Sequence, residues 1–283
     1  MRILGKLVVL LVGTLLSVTA GEEQKCGSLD ERLLFNTETS TEPAEYPWMG
    51  ILYQLMGASF ENTGCSVVIL AKFYVLTTAS CVRRFNNRPE TAAVRLGIWN
   101  ETHTSDEEYI CNVKGFCVPG PVQHSVSEII VHPQADKDTG DNDLALLRLT
   151  EQIKWSTYMQ PLCLEPISPL KSLIGRNFHF GGFEHSNYIK GKGLAFTLTR
   201  EYCTSLSSAS KPRPENQFCG YPVKRTKFYE GAALMGLNIA NEVPKSFYLV
   251  GLLSEVVIVG QTTVLGFQDV GPWRSWLLEN TRS

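Results

Sequence analysis

Three absences narrow the classes of protein to which this sequence can belong. After the first 20 residues, no apolar run approaches the ~20 residues that a membrane-spanning helix needs, which favours a soluble protein. Neither a CxxC nor an HExxH spacing occurs, so no metal site and no other cofactor is expected. The basic residues are scattered and the net charge is only −2, so a nucleic-acid-binding groove is not expected either.

The amino terminus has the features of a secretory signal peptide. Residues 1–20 start with a short basic region (Arg2 and Lys6), continue with an apolar run at 7–16, and end on three small residues at 18–20. A membrane anchor is the alternative, but an apolar run of roughly ten residues is too short to span a bilayer. The sequence therefore predicts a secreted, extracellular protein.

The remainder of the chain has the pattern of an all-β protein. Short apolar or alternating runs separated by Gly, Pro and Asn are typical of strands. These runs cover 48–53, 66–70, 93–98, 127–131, 144–149, 247–253 and 257–264. After Gly271 and Pro272, the residues Trp273, Trp276 and Leu277 recur at helical spacing, which predicts a terminal helix that packs its aromatic face on the body.

The chain has eight cysteines, and an even number in an exported protein predicts a disulfide framework. Eight cysteines allow 105 connectivities. The count alone therefore leaves the pairing open.

Several segments resemble those of chymotrypsin-like serine proteases. Residues 75–81, Val-Leu-Thr-Thr-Ala-Ser-Cys, resemble the Val-Leu-Thr-Ala-Ala-His-Cys that carries the general-base histidine. Residues 142–149, Asn-Asp-Leu-Ala-Leu-Leu-Arg-Leu, resemble the triad-aspartate segment, and Glu-Tyr-Pro-Trp-Met at 45–49 resembles Glu-Phe-Pro-Trp-Met. Because the segments follow one another in the family's order, the chain resembles the S1 family, and within it the arthropod clip-domain proteases and their inactive homologues.

This resemblance implies the architecture. It predicts two packed six-stranded antiparallel β-barrels with a short C-terminal helix and any active site in the cleft between the barrels. The S1 protease-like domain would occupy residues 33–283, after a vestigial propeptide-like segment at 21–32. The residues between Gly21 and Cys26 are too few for a clip domain, which we expect to be absent.

The resemblance also implies how the cysteines pair. Cys65 and Cys81 bracket the general-base segment, as the family's loop-closing pair does, and one pair in the sequence looks like the extra loop bridge of clip-domain proteases. The implied pairs are Cys26–Cys163, Cys65–Cys81, Cys111–Cys117 and Cys203–Cys219.

The catalytic positions implied by the resemblance lack their chemistry. Ser80 stands at the histidine position, and a serine hydroxyl cannot accept and return a proton near neutral pH. Asp143 matches the triad aspartate but has no imidazole to orient. Residues 228–234 resemble the family's nucleophile segment, Gly-Asp-Ser-Gly-Gly-Pro-Leu. Glu230 then stands at the position of the nucleophilic serine. Phe228 stands at the position of the glycine whose N–H helps to form the oxyanion hole, a donor that contributes ~2.7–4 kcal/mol to transition-state stabilisation.

The activation switch of active relatives is missing as well. Tyr229 replaces the aspartate that receives the new N-terminal ammonium after activation cleavage. Arg32 stands before Leu-Leu-Phe-Asn, where the family has Ile-Val-Gly-Gly, so cleavage after Arg32 is conceivable but could not form the buried ion pair.

The sequence has three further features of interest: a glycosylation sequon, an acidic loop and five histidines. Asn100 begins the only N-glycosylation sequon. An acidic loop, Asp106, Glu107 and Glu108, lies near the calcium loop of some relatives, although an ordinary solvated turn is favoured. The five histidines are expected to be surface or loop residues.

We therefore expect a catalytically inactive serine protease homologue that acts by binding. The resemblance implies partners among proteases or zymogens of a haemolymph cascade in arthropod innate immunity, such as melanisation or antimicrobial signalling. The alternatives are an S1 endopeptidase with non-standard residual activity, a recognition module for microbial surfaces, and a decoy for protease inhibitors.

Overall fold

The computed structural model describes residues 25–34, 36–103, 108–165, 173–184, 186–206, 216–224 and 226–282. The expected signal peptide lies outside these residues. Among the described residues, no helix is long and apolar enough to cross a membrane.

The N-terminal half of the described chain forms a closed antiparallel barrel, and a small two-stranded hairpin projects from it. The barrel order is β1-β2-β3-β8-β7-β4, and β5 pairs with β6 in the hairpin. The strands are β1 (Met49–Met56), β2 (Ser59–Ala71), β3 (Tyr74–Thr77), β4 (Ala92–Leu96), β5 (Tyr109–Cys111), β6 (Cys117–Pro119), β7 (Val122–Val131) and β8 (Ala145–Leu149).

The C-terminal half forms a second barrel. Its strands are β9 (Cys163–Leu164), β10 (Asn177–Glu184), β11 (Asn187–Leu198), β12 (Gln217–Pro222), β13 (Ala233–Ala240), β14 (Val243–Val259) and β15 (Thr262–Asp269). Six of them follow the order β13-β10-β11-β12-β15-β14, and pairing of β13 with β14 closes the ring. The short β9 adds to β14 in parallel. The predicted architecture of two six-stranded barrels is confirmed.

The helices are short: α1 (Glu31–Leu34), α2 (Ala79–Val82), α3 (Arg200–Leu206) and α4 (Arg274–Asn280). The terminal helix α4 is confirmed, and it follows a single turn of 3-10 helix over Gly271–Trp273. The ring centroids of Trp273 and Trp276 lie 4.2 and 4.8 Å from that of His132, and Leu277 is fully buried. The aromatic face therefore fixes α4 to the first barrel.

One predicted strand is wrong. The run at 257–264 is not a single strand, because it spans the end of β14, a turn at Gly260 and the start of β15. Gly260 has φ +61°, a backbone conformation that glycine adopts without strain. β-Branched residues lie on both sides of the turn, and this uniformity hid the turn in the sequence.

One apolar cluster extends across both barrels, and the second barrel has a further cluster of its own. Trp48 of the first barrel is fully buried, and its indole N–H donates to the sulfur of Met235 in the second barrel at 3.2 Å. A continuous cluster of buried side chains extends from the first barrel to β13 and β14. The cleft between the barrels is therefore bounded by a rigid seam.

All eight cysteines are in disulfide bonds, with the pairs that the resemblance implies. The bonds are Cys26–Cys163, Cys65–Cys81, Cys111–Cys117 and Cys203–Cys219. The first spans 137 residues of sequence and ties the N-terminal segment to the body.

Candidate functional site

Ser80, the expected counterpart of the general base, lies on α2. The helix begins after Thr78, whose hydroxyl accepts the Cys81 N–H at 3.2 Å, so that Thr78 is its N-cap. Ser80 is half-buried, and its main-chain N–H donates to Asp143 Oδ1 at 2.7 Å. A serine has no ring nitrogen, so this position offers no proton shuttle at neutral pH.

Asp143 stabilises the main chain of α2. Its carboxyl group is buried, and its own N–H donates to Gln268 Oε1 at 3.0 Å. Burial raises the pKa of Asp143, and its hydrogen bonds from Ser80 oppose that rise. The Asp143 carboxylate therefore accepts a hydrogen bond from the main chain of α2, at the place where a histidine ring would otherwise be its partner.

Glu230 occupies the centre of the seam between the barrels. The Thr78 hydroxyl donates to Glu230 Oε1 at 2.6 Å, and the Ser66 N–H donates to the Glu230 main-chain oxygen at 2.7 Å. Burial raises the pKa of Glu230 to about 7; the Thr78 bond opposes this shift and the charge of Asp143 adds to it. The side chain is a partly desolvated carboxyl group and has no hydroxyl with which to attack a peptide.

A group of potential metal ligands around Glu230 is not a metal site. Its carboxylate lies within 4.8 Å of the sulfurs of Cys65 and Cys81. Both sulfurs are in a disulfide bond, whereas cysteine binds a metal ion as the free thiolate.

Phe228, at the oxyanion-glycine position, points into the second barrel. It is buried, and its ring centroid lies 4.9 Å from that of Phe180. Two glycines make room for the ring, since a Cβ on Gly191 would lie 2.6 Å from Phe228 Cε1 and one on Gly182 would lie 3.2 Å from Phe228 Cβ. The loop is therefore anchored in the second barrel by the Phe228 side chain.

Tyr229, at the activation-aspartate position, points toward the first barrel. It is 4% exposed, and its hydroxyl donates to Glu101 Oε2 at 3.1 Å and accepts from Asn62 Nδ2 at 3.2 Å. Asn62 Nδ2 also donates to Glu101 Oε2 at 2.6 Å, which closes a triangle of hydrogen bonds. Burial raises the pKa of Glu101 to about 7, and these hydrogen bonds oppose the rise.

Arg32 lies on α1, far out in solvent. Its side chain is 87% exposed and pairs with Asp30 at 2.6 Å. The same segment forms one wall of a groove of about 530 Å³ whose other walls include Tyr46, Tyr158 and Phe247. Residues Ser80, Asp143, Phe228, Tyr229 and Glu230 do not line this groove, so the potential cleavage point and the degenerate catalytic positions occupy separate places.

Asn100 follows the first-barrel strand β4. Its side-chain oxygen accepts the N–H and the hydroxyl of Thr102, at 3.0 and 2.9 Å, and its main chain forms an isolated bridge with Ile189. Of the acidic loop, Glu108 is described and exposed, whereas Asp106 and Glu107 lie outside the described residues.

Two histidines are not surface residues, contrary to expectation. His132 is 3% exposed under Trp273 and Trp276, and His124 is 8% exposed. His124 lies on β7 between exposed neighbours, so its inward direction is set by the register of that strand, which the sequence did not reveal. His132 lies in the loop directly after β7 and is covered by the terminal aromatic residues. His185 lies outside the described residues.

The structure brings together the three triad positions and adds partners that the sequence did not point to. Asp143 contacts Ser80 directly, and its charge raises the pKa of Glu230. Asn62, Thr78, Glu101 and Gln268 complete the network, but each is distant in sequence from the residue that it binds there, and even the 75–81 segment that contains Thr78 does not indicate its partner.

Comparisons with known proteins agree with this fold. The family model described as Trypsin matches residues 36–226. Phenoloxidase-activating factor 3 of Holotrichia diomphalia is 31% identical over 276 residues, which cover 92% of this chain and 76% of the relative. Phenoloxidase-activating factor 1 of the same organism is 28% identical over 253 residues, covering 86% and 68%.

A solved structure shares the fold. The crystal structure of the Drosophila Grass clip serine protease of the Toll pathway matches with a TM-score of 0.73. The match covers 92% of this chain and 75% of that one at 19% identity.

Proposed function

The chain belongs to the trypsin family of serine proteases, and we propose that it is a secreted member that binds other proteins without cutting them. The observation that carries this proposal is the pair of side chains at the catalytic positions. Ser80 supplies no base, and Glu230 supplies a partly buried carboxyl group in place of a nucleophilic hydroxyl. Acyl-enzyme formation needs both functions, so their joint loss leaves no route to that intermediate.

The contacts of the lost triad support the proposal. Asp143 is hydrogen-bonded to the Ser80 N–H and Glu230 to the Thr78 hydroxyl, so both carboxyl groups act as structural hydrogen-bond acceptors. Phe228 and Tyr229 are buried in opposite directions, and neither can be exchanged for glycine or aspartate without leaving a gap. Packed and hydrogen-bonded side chains therefore occupy the cleft between the two barrels.

The proposed partners are proteases or zymogens of an extracellular cascade in arthropod innate immunity, such as melanisation. Two relatives that cover most of this chain are named phenoloxidase-activating factors. Recognition and chemistry are separable, so a protease surface that has lost its catalytic groups retains the means to bind another protein. In this proposal residues 1–20 are a signal peptide, 21–32 a propeptide remnant, 33–283 the binding domain, and Asn100 carries a glycan.

A reconstituted cascade tests the proposed function. The glycosylated protein is immobilised and exposed to arthropod haemolymph, and each captured protease or zymogen is then assayed for activation with and without the soluble protein. We expect capture of at least one such protein and a severalfold change in its rate of activation. Reduced and alkylated protein, which lacks the four disulfides, is the control. Binding to microbial surfaces with no effect on any captured protease would contradict the proposal.

A further inference from the structure

The loop that carries Phe228, Tyr229 and Glu230 is held by three consecutive side chains in three directions. It connects β12 to β13 and crosses the seam between the barrels. Phe228 packs on Phe180 in the second barrel, and Tyr229 is hydrogen-bonded to the first barrel. Glu230 is hydrogen-bonded to Thr78 at the cleft. A segment fixed at three successive positions has little conformational freedom left.

Tyr229 stands where active relatives have the aspartate that pairs with the new N-terminal ammonium, and it makes hydrogen bonds through a neutral hydroxyl instead. Its main-chain N–H donates to the Phe183 oxygen at 2.7 Å, in the second barrel, while its hydroxyl bonds to Glu101 and Asn62 in the first. One residue therefore joins the two barrels. Burial raises the pKa of the Tyr229 hydroxyl, so it remains a protonated donor at physiological pH.

The contacts described for Phe228, Tyr229 and Glu230 are made to residues outside the segment around Arg32. That segment is secured elsewhere: Gly27 donates to the Pro161 oxygen and accepts from the Phe247 N–H, both at 2.8 Å. Further along, the Thr37 oxygen accepts Lys224 Nζ at 2.8 Å and Ser40 forms a bridge with Gly191. A cut after Arg32 would remove none of the hydrogen bonds that Tyr229 makes to Phe183, Asn62 and Glu101.

We propose that Tyr229, with Glu101 and Asn62, is a built-in lock that presets the 226–232 loop in the uncut chain, so that the binding surface needs no cleavage to form. This inference rests on the proposed function and extends it, because it makes the protein a binder from the moment it folds. Burying an ammonium without a charged partner is costly, and Tyr229 offers no charge. A new N-terminus at Leu33 therefore remains in solvent.

Amide hydrogen exchange on intact and Arg32-cleaved protein tests the lock. In the unmodified protein, peptides covering 226–235 should be equally protected before and after the cut. In Tyr229→Phe, which keeps the ring and removes the hydroxyl, exchange there should accelerate about tenfold in both forms, as expected for loss of one or two buried hydrogen bonds. Tyr202→Phe, at a 49% exposed tyrosine on α3, is the matched control and should leave exchange unchanged.

Two results would overturn the lock. The first is rapid exchange of 226–235 in intact protein that becomes protected only after the cut, a comparison that needs no variant to fold. The second is exchange in Tyr229→Phe equal to that of the unmodified protein. If the protein hydrolyses peptides and its 226–235 segment is protected before the cut, the proposed function is wrong and the lock is supported. If the protein is inactive and this segment is unprotected before the cut, the lock is wrong and the proposed function is supported.

Discussion

Restoring the two lost catalytic side chains, by Ser80→His together with Glu230→Ser, is expected to yield no appreciable peptidase activity. Phe228 still anchors the loop in the second barrel, and Tyr229 still binds it to the first. The loop therefore keeps its present conformation, and one lost oxyanion donor alone costs about 10²–10³ in kcat. The measurement is kcat/KM on peptide esters and amides with basic, aromatic and small residues before the scissile bond.

A fourfold variant separates the effect of the missing base and nucleophile from the effect of Phe228 and Tyr229. Adding Phe228→Gly and Tyr229→Asp to the double variant, followed by cleavage after Arg32, restores the residue types of active relatives at all four positions. Any gain in activity should appear only in this fourfold variant. Hydrolysis by the double variant more than about 10⁴-fold faster than in water would exceed what binding and an oxyanion hole supply without a triad, and would contradict the argument.

Glu230→Gln should stabilise the protein at pH 8 and leave its stability at pH 4.5 nearly unchanged. Burial raises the pKa of Glu230 from its ordinary 4.5 to about 7 in the folded protein. The folded state thus holds this proton more tightly than the unfolded chain, so the associated stability is fully present below pH 4.5 and is lost as pH rises through about 7. Glutamine keeps the acceptor for Thr78 and carries no charge.

The expected gain at pH 8 is about 1–2 kcal/mol in the free energy of unfolding, because the carboxyl group is only partly buried. This corresponds to a rise of roughly 2–8 °C in melting temperature. Asp143 is the negative neighbour and Arg83 and Arg84 are the positive ones, so the measurement is made at moderate salt. Glu128→Gln, at an exposed position of β7, is the control and should not show the effect. A Glu230→Gln variant less stable than the parent at pH 8 would show that the charge is stabilising.

The sequence carried the architecture because short motifs mark fixed places in this fold. The segments at 45–49, 75–81 and 142–149 lie on or beside strands β1, β3 and β8 of the first barrel. The turn at Gly260 escaped prediction because β-branched residues flank it on both sides, whereas the inward direction of His124 escaped because it depends on strand register. Register is set by pairing partners far away in the chain.

Only part of the candidate site could be predicted from the sequence, because its contacts also join residues that are far apart in the chain. The sequence shows that Ser80, Phe228, Tyr229 and Glu230 are not the residues that catalysis needs. It does not show what those side chains contact instead. The partner of Tyr229 is Glu101, 128 residues away, and that of Glu230 is Thr78, 152 residues away.

Active-site labelling with a fluorophosphonate, together with hydrolysis of a peptide ester, tests the central claim most directly. Both are run on the purified protein before and after cleavage at Arg32, beside an active trypsin-family protease as positive control. The account predicts no labelled serine and no hydrolysis above background in either form. Stoichiometric labelling of one serine, abolished by substituting that serine with alanine, would contradict it.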